Sequence, residues 1–80
     1  MNIKPIVTEK AVRMIETQNV LTFEFEMTVS KEEIKNEIEK IFAIKIERVR
    51  TLIRNNKKYA YIKLKPQFQA IDVATKIGVI

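Results

Sequence analysis

Between Arg48 and Ile71 the sequence carries seven cationic side chains (Arg48, Arg50, Arg54, Lys57, Lys58, Lys63 and Lys65) and no carboxylate. Two tyrosines, Tyr59 and Tyr61, are interleaved among them. Cations of this kind neutralise phosphates, and a tyrosine ring stacks on an unpaired base or a ribose. The whole chain is +5, with 15 Lys+Arg against 10 Asp+Glu, so eight cations face ten carboxylates outside this stretch. Basicity concentrated in one third of a chain points to a polyanionic partner. The competing reading is a solvated Lys-rich surface, with the tyrosines covering a sheet and the cations snorkelling past it.

Other chemistry is poorly supported. The chain has no His and no Cys, which removes the usual general base, the thiol nucleophile, disulfides and the commonest metal ligands. A phosphate-cradling loop needs several glycines, and Gly78 stands alone near the C-terminus. Glu32, Glu33, Glu37 and Glu39 fall on or near the polar side of a helical pattern, where carboxylates serve solubility and i,i+4 pairing. No enzyme, cofactor, metal site or small-molecule substrate is expected. Apolar runs fall far short of the roughly 20 residues of a membrane span, and Met1-Asn2-Ile3-Lys4-Pro5 opens no secretory signal.

The elements that must position the basic stretch follow from periodicity. At 80 residues the chain fits one domain, expected over 1–80. Thr8 is placed to cap a helix from about Glu9 to Thr17, with Val7 and Val12 as a hydrophobic staple and Val7, Ala11 and Ile15 on one face. Gln18-Asn19 ends it. Leu21, Phe23, Phe25 and Met27 alternate with polar residues, which predicts a strand with one buried side. Ser30 and Glu33 form a capping box, and Val29 and Ile34 a second staple. The helix they open carries Ile34, Ile38, Ile41 and Phe42 on one stripe and Lys31, Lys35, Glu39 and Lys40 on the other.

Ile44 to Arg54 reads as a second strand whose parity breaks between Ile46 and Val49, so a β-bulge is expected near Glu47-Arg48. Asn55-Asn56-Lys57 supplies a tight hairpin. Tyr59 to Lys65 forms the third strand, with Ala60, Ile62 and Leu64 inward and Tyr59, Tyr61, Lys63 and Lys65 outward. Pro66 suits the first turn of a final helix with Phe68, Ile71, Ala74 and Ile77 on its stripe, and Gly78 closes it. The expected fold is α+β and ferredoxin-like, in the order α-β-α-β-β-α. Its three-stranded antiparallel sheet would run first–third–second, with the helices on one face and the other left open.

Four segments carry a resemblance: Pro5-Ile6-Val7-Thr8-Glu9-Lys10-Ala11; Asn19-Val20-Leu21-Thr22-Phe23; Ile34-Lys35 with Phe42-Ala43-Ile44-Lys45-Ile46; and Lys57-Lys58-Tyr59-Ala60-Tyr61-Ile62-Lys63-Leu64. In order and spacing they resemble the universal large-subunit ribosomal protein twenty-three family. The tail from Ala70 to Gly78 is similar to the archaeal and eukaryotic branch. The resemblance implies a cytoplasmic constituent of the large ribosomal subunit. It would bind large-subunit rRNA at the rim of the peptide exit tunnel, beside neighbouring ribosomal proteins. There it would help dock the signal recognition particle or other nascent-chain factors.

Carried over by position, Thr8, Glu9 and Lys10 match the family's N-terminal motif, and Glu9 matches its factor-docking residue. Thr51 and the hairpin from Arg54 to Lys58 match its RNA-contacting region. With the basic stretch, the expected RNA contacts are Lys4, Thr8, Lys10, Arg48, Arg50, Thr51, Arg54, Lys57, Lys58, Tyr59, Tyr61, Lys63 and Lys65. Arg50-Thr51 replaces the family's usual Asn-Thr, so an Asn-specific contact is not carried over. The hairpin tip lacks the usual Pro/Gly turn and is slightly shorter. The long bacterial hairpin extension and the long basic eukaryotic N-terminal extension are both missing, which fits an archaeal ribosome. The alternative is a non-ribosomal ferredoxin-like protein-interaction domain that uses the open sheet face, with Tyr59 and Tyr61 as anchors. The third strand also lacks the glycine- and aromatic-rich signature of the RNA-recognition motif.

Overall fold

The computed structural model describes residues 2–78. Its elements are β1 (Lys4–Pro5), α1 (Glu9–Gln18), β2 (Val20–Phe25), α2 (Lys31–Phe42), β3 (Ile46–Arg54), β4 (Lys57–Leu64) and α3 (Ala70–Lys76). The sheet runs β1-β2-β4-β3, and every neighbouring pair is antiparallel. The expected order of three strands is therefore present as β2-β4-β3, but the sheet has a fourth strand. In β1, Lys4 stands opposite Glu24 and Pro5 opposite Phe23. A two-residue strand offers no alternation to read, and proline is tolerated there because β1 is an edge.

Local signals explain most boundaries. The Thr8 hydroxyl accepts from the Ala11 N–H at 3.0 Å and opens α1. Asn19 closes α1 in the left-handed region, at φ 59°. Val7 departs from its expected place beside Ala11 and Ile15: it is 62% exposed, because it precedes the cap and lies outside the helical repeat. Met27 is likewise exposed, since β2 ends at Phe25 and a turn follows. Ser30 and Glu33 make both bonds of the capping box, each at 3.2 Å, and Val29 and Ile34 enter the core. Ile41 does not join Ile34 and Ile38 in that core; it is exposed near the end of α2.

The bulge is where the broken parity put it. Ile46 pairs with Leu64 and Arg48 with Lys63, so Glu47 is the extra residue. Asn55 and Asn56 both have positive φ, 53° and 61°, as a two-residue primed turn demands. Pro66 precedes α3 rather than opening it. A turn held by the Phe68 N–H and the Lys65 carbonyl at 2.9 Å intervenes. Of the expected stripe, Ala74 is buried and Phe68 and Ile77 pack against the core, but Ile71 is exposed, and Ala70 and Val73 are buried beside Ala74 instead.

One core unites these elements. Leu21, Phe23 and Phe25 of β2, Ile46 of β3, and Ala60, Ile62 and Leu64 of β4 meet Ile34 and Ile38 of α2 and Ala70, Val73 and Ala74 of α3. α1 contributes Ile15 and packs on β2 and α3. The expectation that all helices cover one face needs correction. Val20 and Thr22 alternate to the opposite side of β2, yet both are buried. Ala11 and Met14 of α1 share a cleft with Thr22, Tyr59 and Tyr61. The first helix thus borders the second sheet face at β2, and the open surface is confined to β4 and β3.

Candidate nucleic-acid interface

Strand alternation sends Ala60, Ile62 and Leu64 inward and their neighbours outward. The register then fixes which outward side chains meet. Arg48 stands opposite Lys63, Arg50 opposite Tyr61, Leu52 opposite Tyr59 and Arg54 opposite Lys57. Two of these four pairs place like charges face to face, which is unfavourable in a free sheet. Glu47 approaches Lys63 at 3.8 Å and Glu24 approaches Lys57 at 3.7 Å, which offsets part of the repulsion. Among the described residues, Arg48, Arg50 and Arg54 form no ion pair, and all three are exposed. Such a ladder is poorly matched to an isolated protein and well matched to a row of phosphates.

The half-buried rings of Tyr59 and Tyr61 sit within this ladder. The cluster expected from sequence is therefore assembled for Arg48, Arg50, Arg54, Lys57, Tyr59, Tyr61 and Lys63. Two members leave it. Lys58 has the parity of Ala60, and its ammonium donates to the Val29 carbonyl at 2.6 Å on the other side of the sheet. Thr51 stands opposite Ala60 and shares that inward parity. Adjacent strand residues cannot face the same way, so a cluster read from proximity in sequence loses those of inward parity.

The remaining candidates lie around the face. Lys65 is exposed just beyond β4, where its backbone N–H donates to the Lys45 carbonyl at 3.1 Å. Lys4 is exposed on β1, opposite Glu24. Lys10 lines the cleft beside Tyr59, Tyr61 and Arg54. The Thr8 side chain serves as the α1 cap. Glu9 is exposed in the first turn of α1 and borders a shallow groove with Val7, Val12 and Arg13.

Sequence reasoning missed Leu52, which is 42% exposed between Arg50 and Arg54. Its parity with the arginines was readable once the bulge was placed. It also missed Thr22, which strand alternation turns to this side of β2, and Met14, which reaches it from α1. Among the described residues no group of His, Cys, Asp or Glu is placed to hold a metal ion, and no helix is long and apolar enough to cross a membrane.

The conserved-family description "Ribosomal protein L23" matches residues 1–75, which takes in β1 through most of α3 and every strand of the cationic face. This answers the alternative of a non-ribosomal domain. The match makes the protein a constituent of the large subunit of the cytoplasmic ribosome, with ribosomal RNA and other ribosomal proteins as its partners and a structural rather than catalytic role. The chain belongs to the ribosomal protein L23 family.

Proposed function

We propose that this protein binds large-subunit rRNA near the peptide exit tunnel through the second face of β4 and β3. The observation that carries this reading is the register of Arg48, Arg50 and Arg54 against Lys63, Tyr61 and Lys57. Like charges held opposite one another are relieved when phosphates lie between them. The tyrosines add a surface for unpaired bases or riboses. Lys4, Lys10 and Lys65 extend the cationic field around its margin, while Lys58 and Thr51 belong to the other side of the sheet.

Glu9, exposed at the start of α1, supports a second contact, the docking of the signal recognition particle or other nascent-chain factors. The Val7–Val12 groove gives that contact an apolar partner beside the carboxylate. The short hairpin, closed by Asn55-Asn56, suits an archaeal ribosome. A salt titration against cognate large-subunit rRNA tests the RNA reading: affinity falls steeply with ionic strength, and a flat log–log slope would remove the electrostatic mechanism.

A further inference from the structure

Between α1 and the second sheet face lies a cleft of about 370 Å³. Tyr59, Tyr61 and Leu52 line it from the sheet and Met14 from the helix, with the cations Lys10 and Arg54 also on its walls. Thr22 lines it too. The Thr22 hydroxyl is buried and has no hydrogen-bond partner among the described residues. Leaving a buried hydroxyl unpaired costs free energy, and such a group calls for a partner, which a water or a ligand entering the cleft can supply.

The surroundings identify that partner by its chemistry. Aromatic and apolar walls beside two cations are the combination that holds a nucleotide, with the base stacked and the phosphate neutralised. The volume lies at the low end of small-molecule sites, roughly 300–1,000 Å³, which admits one base and not a duplex. An acidic peptide would satisfy Lys10 and Arg54 but would leave the aromatic walls without a stacking partner.

We propose that this cleft receives a single unpaired nucleotide of the bound RNA. Its base lies against Tyr59 and Tyr61, the edge of the base accepts from or donates to the Thr22 hydroxyl, and its phosphate meets Lys10 and Arg54. The inference rests on the RNA-binding reading above and deepens it. Arginines on an open sheet neutralise phosphates without regard to sequence, whereas a cleft of this kind selects a nucleotide that is free to leave its helix.

The test uses the whole chain with its cognate large-subunit rRNA. Ultraviolet crosslinking is expected to join the peptide containing Tyr59 and Tyr61 to one unpaired nucleotide. Making that nucleotide abasic in an rRNA fragment, or substituting Tyr61→Leu, weakens binding by about 5- to 100-fold. The two changes together weaken it no more than either alone. The slope of affinity against salt stays the same, because neither change removes a charge contact. Thr22→Val is the variant that keeps the fold: thermal stability holds or rises, and RNA affinity falls several-fold.

Crosslinks from that peptide only to paired nucleotides or to a neighbouring protein would overturn the proposal, as would wild-type affinity in both variants. If the wild-type chain itself shows no salt-dependent binding, the broader RNA reading falls as well. If it binds with a steep slope while Tyr61→Leu and Thr22→Val match it, only the nucleotide cleft falls.

Discussion

The Asn19 side chain caps a helix 51 residues away: its Oδ1 accepts from the Ala70 N–H, the first of α3, at 2.6 Å. Its Nδ2 donates to the carbonyls of Phe68 at 2.8 Å and Leu64 at 3.4 Å. Gln69, the residue at the local cap position, makes no side-chain cap bond. Asn19 therefore closes α1 with its backbone and opens α3 with its side chain. Substituting Asn19→Ala removes these bonds, orphans the Ala70 N–H and forces a Cβ-bearing residue without a local polar partner into the left-handed region. The expected loss is about 2–4 kcal/mol. Asn19→Gly loses the same bonds without the backbone strain, so it should be about 1 kcal/mol less damaging. Urea unfolding of both variants checks this, and equal losses would show that the backbone conformation contributes nothing.

Ala43 ends α2 at φ 53°, a left-handed conformation that costs an alanine about 1–2 kcal/mol. The residue is exposed, so no packing is lost on trimming it. Ala43→Gly relieves the strain but gives the unfolded chain about 0.5–1 kcal/mol of extra freedom. A net gain of about 0.5–1 kcal/mol is expected, visible as a rise of a few degrees in melting temperature. A lower melting temperature would show that the strain is smaller than the entropy.

Features specified by neighbours in sequence were the legible ones. The alternation of Leu21, Phe23 and Phe25, the Ser30–Glu33 capping box, the bulge at Glu47 and the Asn55-Asn56 turn each depend on residues a few positions apart. What escaped depends on tertiary placement. β1 forms only because β2 offers an edge to two residues, one of them a proline. Ile71 falls off the expected stripe of α3 because a turn separates Pro66 from the start of the helix. In the site, the positive charge was legible, but Lys58 was grouped with Lys57 although the pleat sends them to opposite faces. The cleft beside Tyr59 and Tyr61 was invisible, because it exists only where α1 crosses behind β2.

Glu39 shows the same limit on a smaller scale, since a residue on the polar stripe of α2 turns out to hold the next strand. Its Oε2 accepts from the Ile46 N–H at 2.8 Å, and its backbone carbonyl accepts from the Ile44 N–H at 3.3 Å. The Ile46 N–H lies just before the bulge, where the regular ladder is interrupted. Glu39→Met keeps the length of the side chain but removes the acceptor, and about 1.5–3 kcal/mol of stability should go with it. Glu39→Gln retains an acceptor and should lose less than half of that. Chemical denaturation of the pair checks the order; equal losses would mean that the bond to Ile46 does not stabilise the fold.

Arg50 and Lys58 separate the two faces of the sheet by experiment. Arg50 is exposed, unpaired among the described residues and opposite Tyr61 on the proposed RNA face. Lys58 gives its ammonium to the Val29 carbonyl on the other side. Arg50→Gln should leave stability within about 0.5 kcal/mol, as surface changes usually do. It should weaken binding to cognate rRNA and make the log–log salt slope shallower by about 1. Lys58→Gln should do the reverse: it removes a charged donor from a part-buried carbonyl, at a cost of about 1–3 kcal/mol in stability, with the salt slope unchanged. Paired salt titrations and melts read both effects. Equal slope changes in the two variants would mean that RNA reaches the Lys58 side, and the face drawn by the strand register would not be the one the RNA uses.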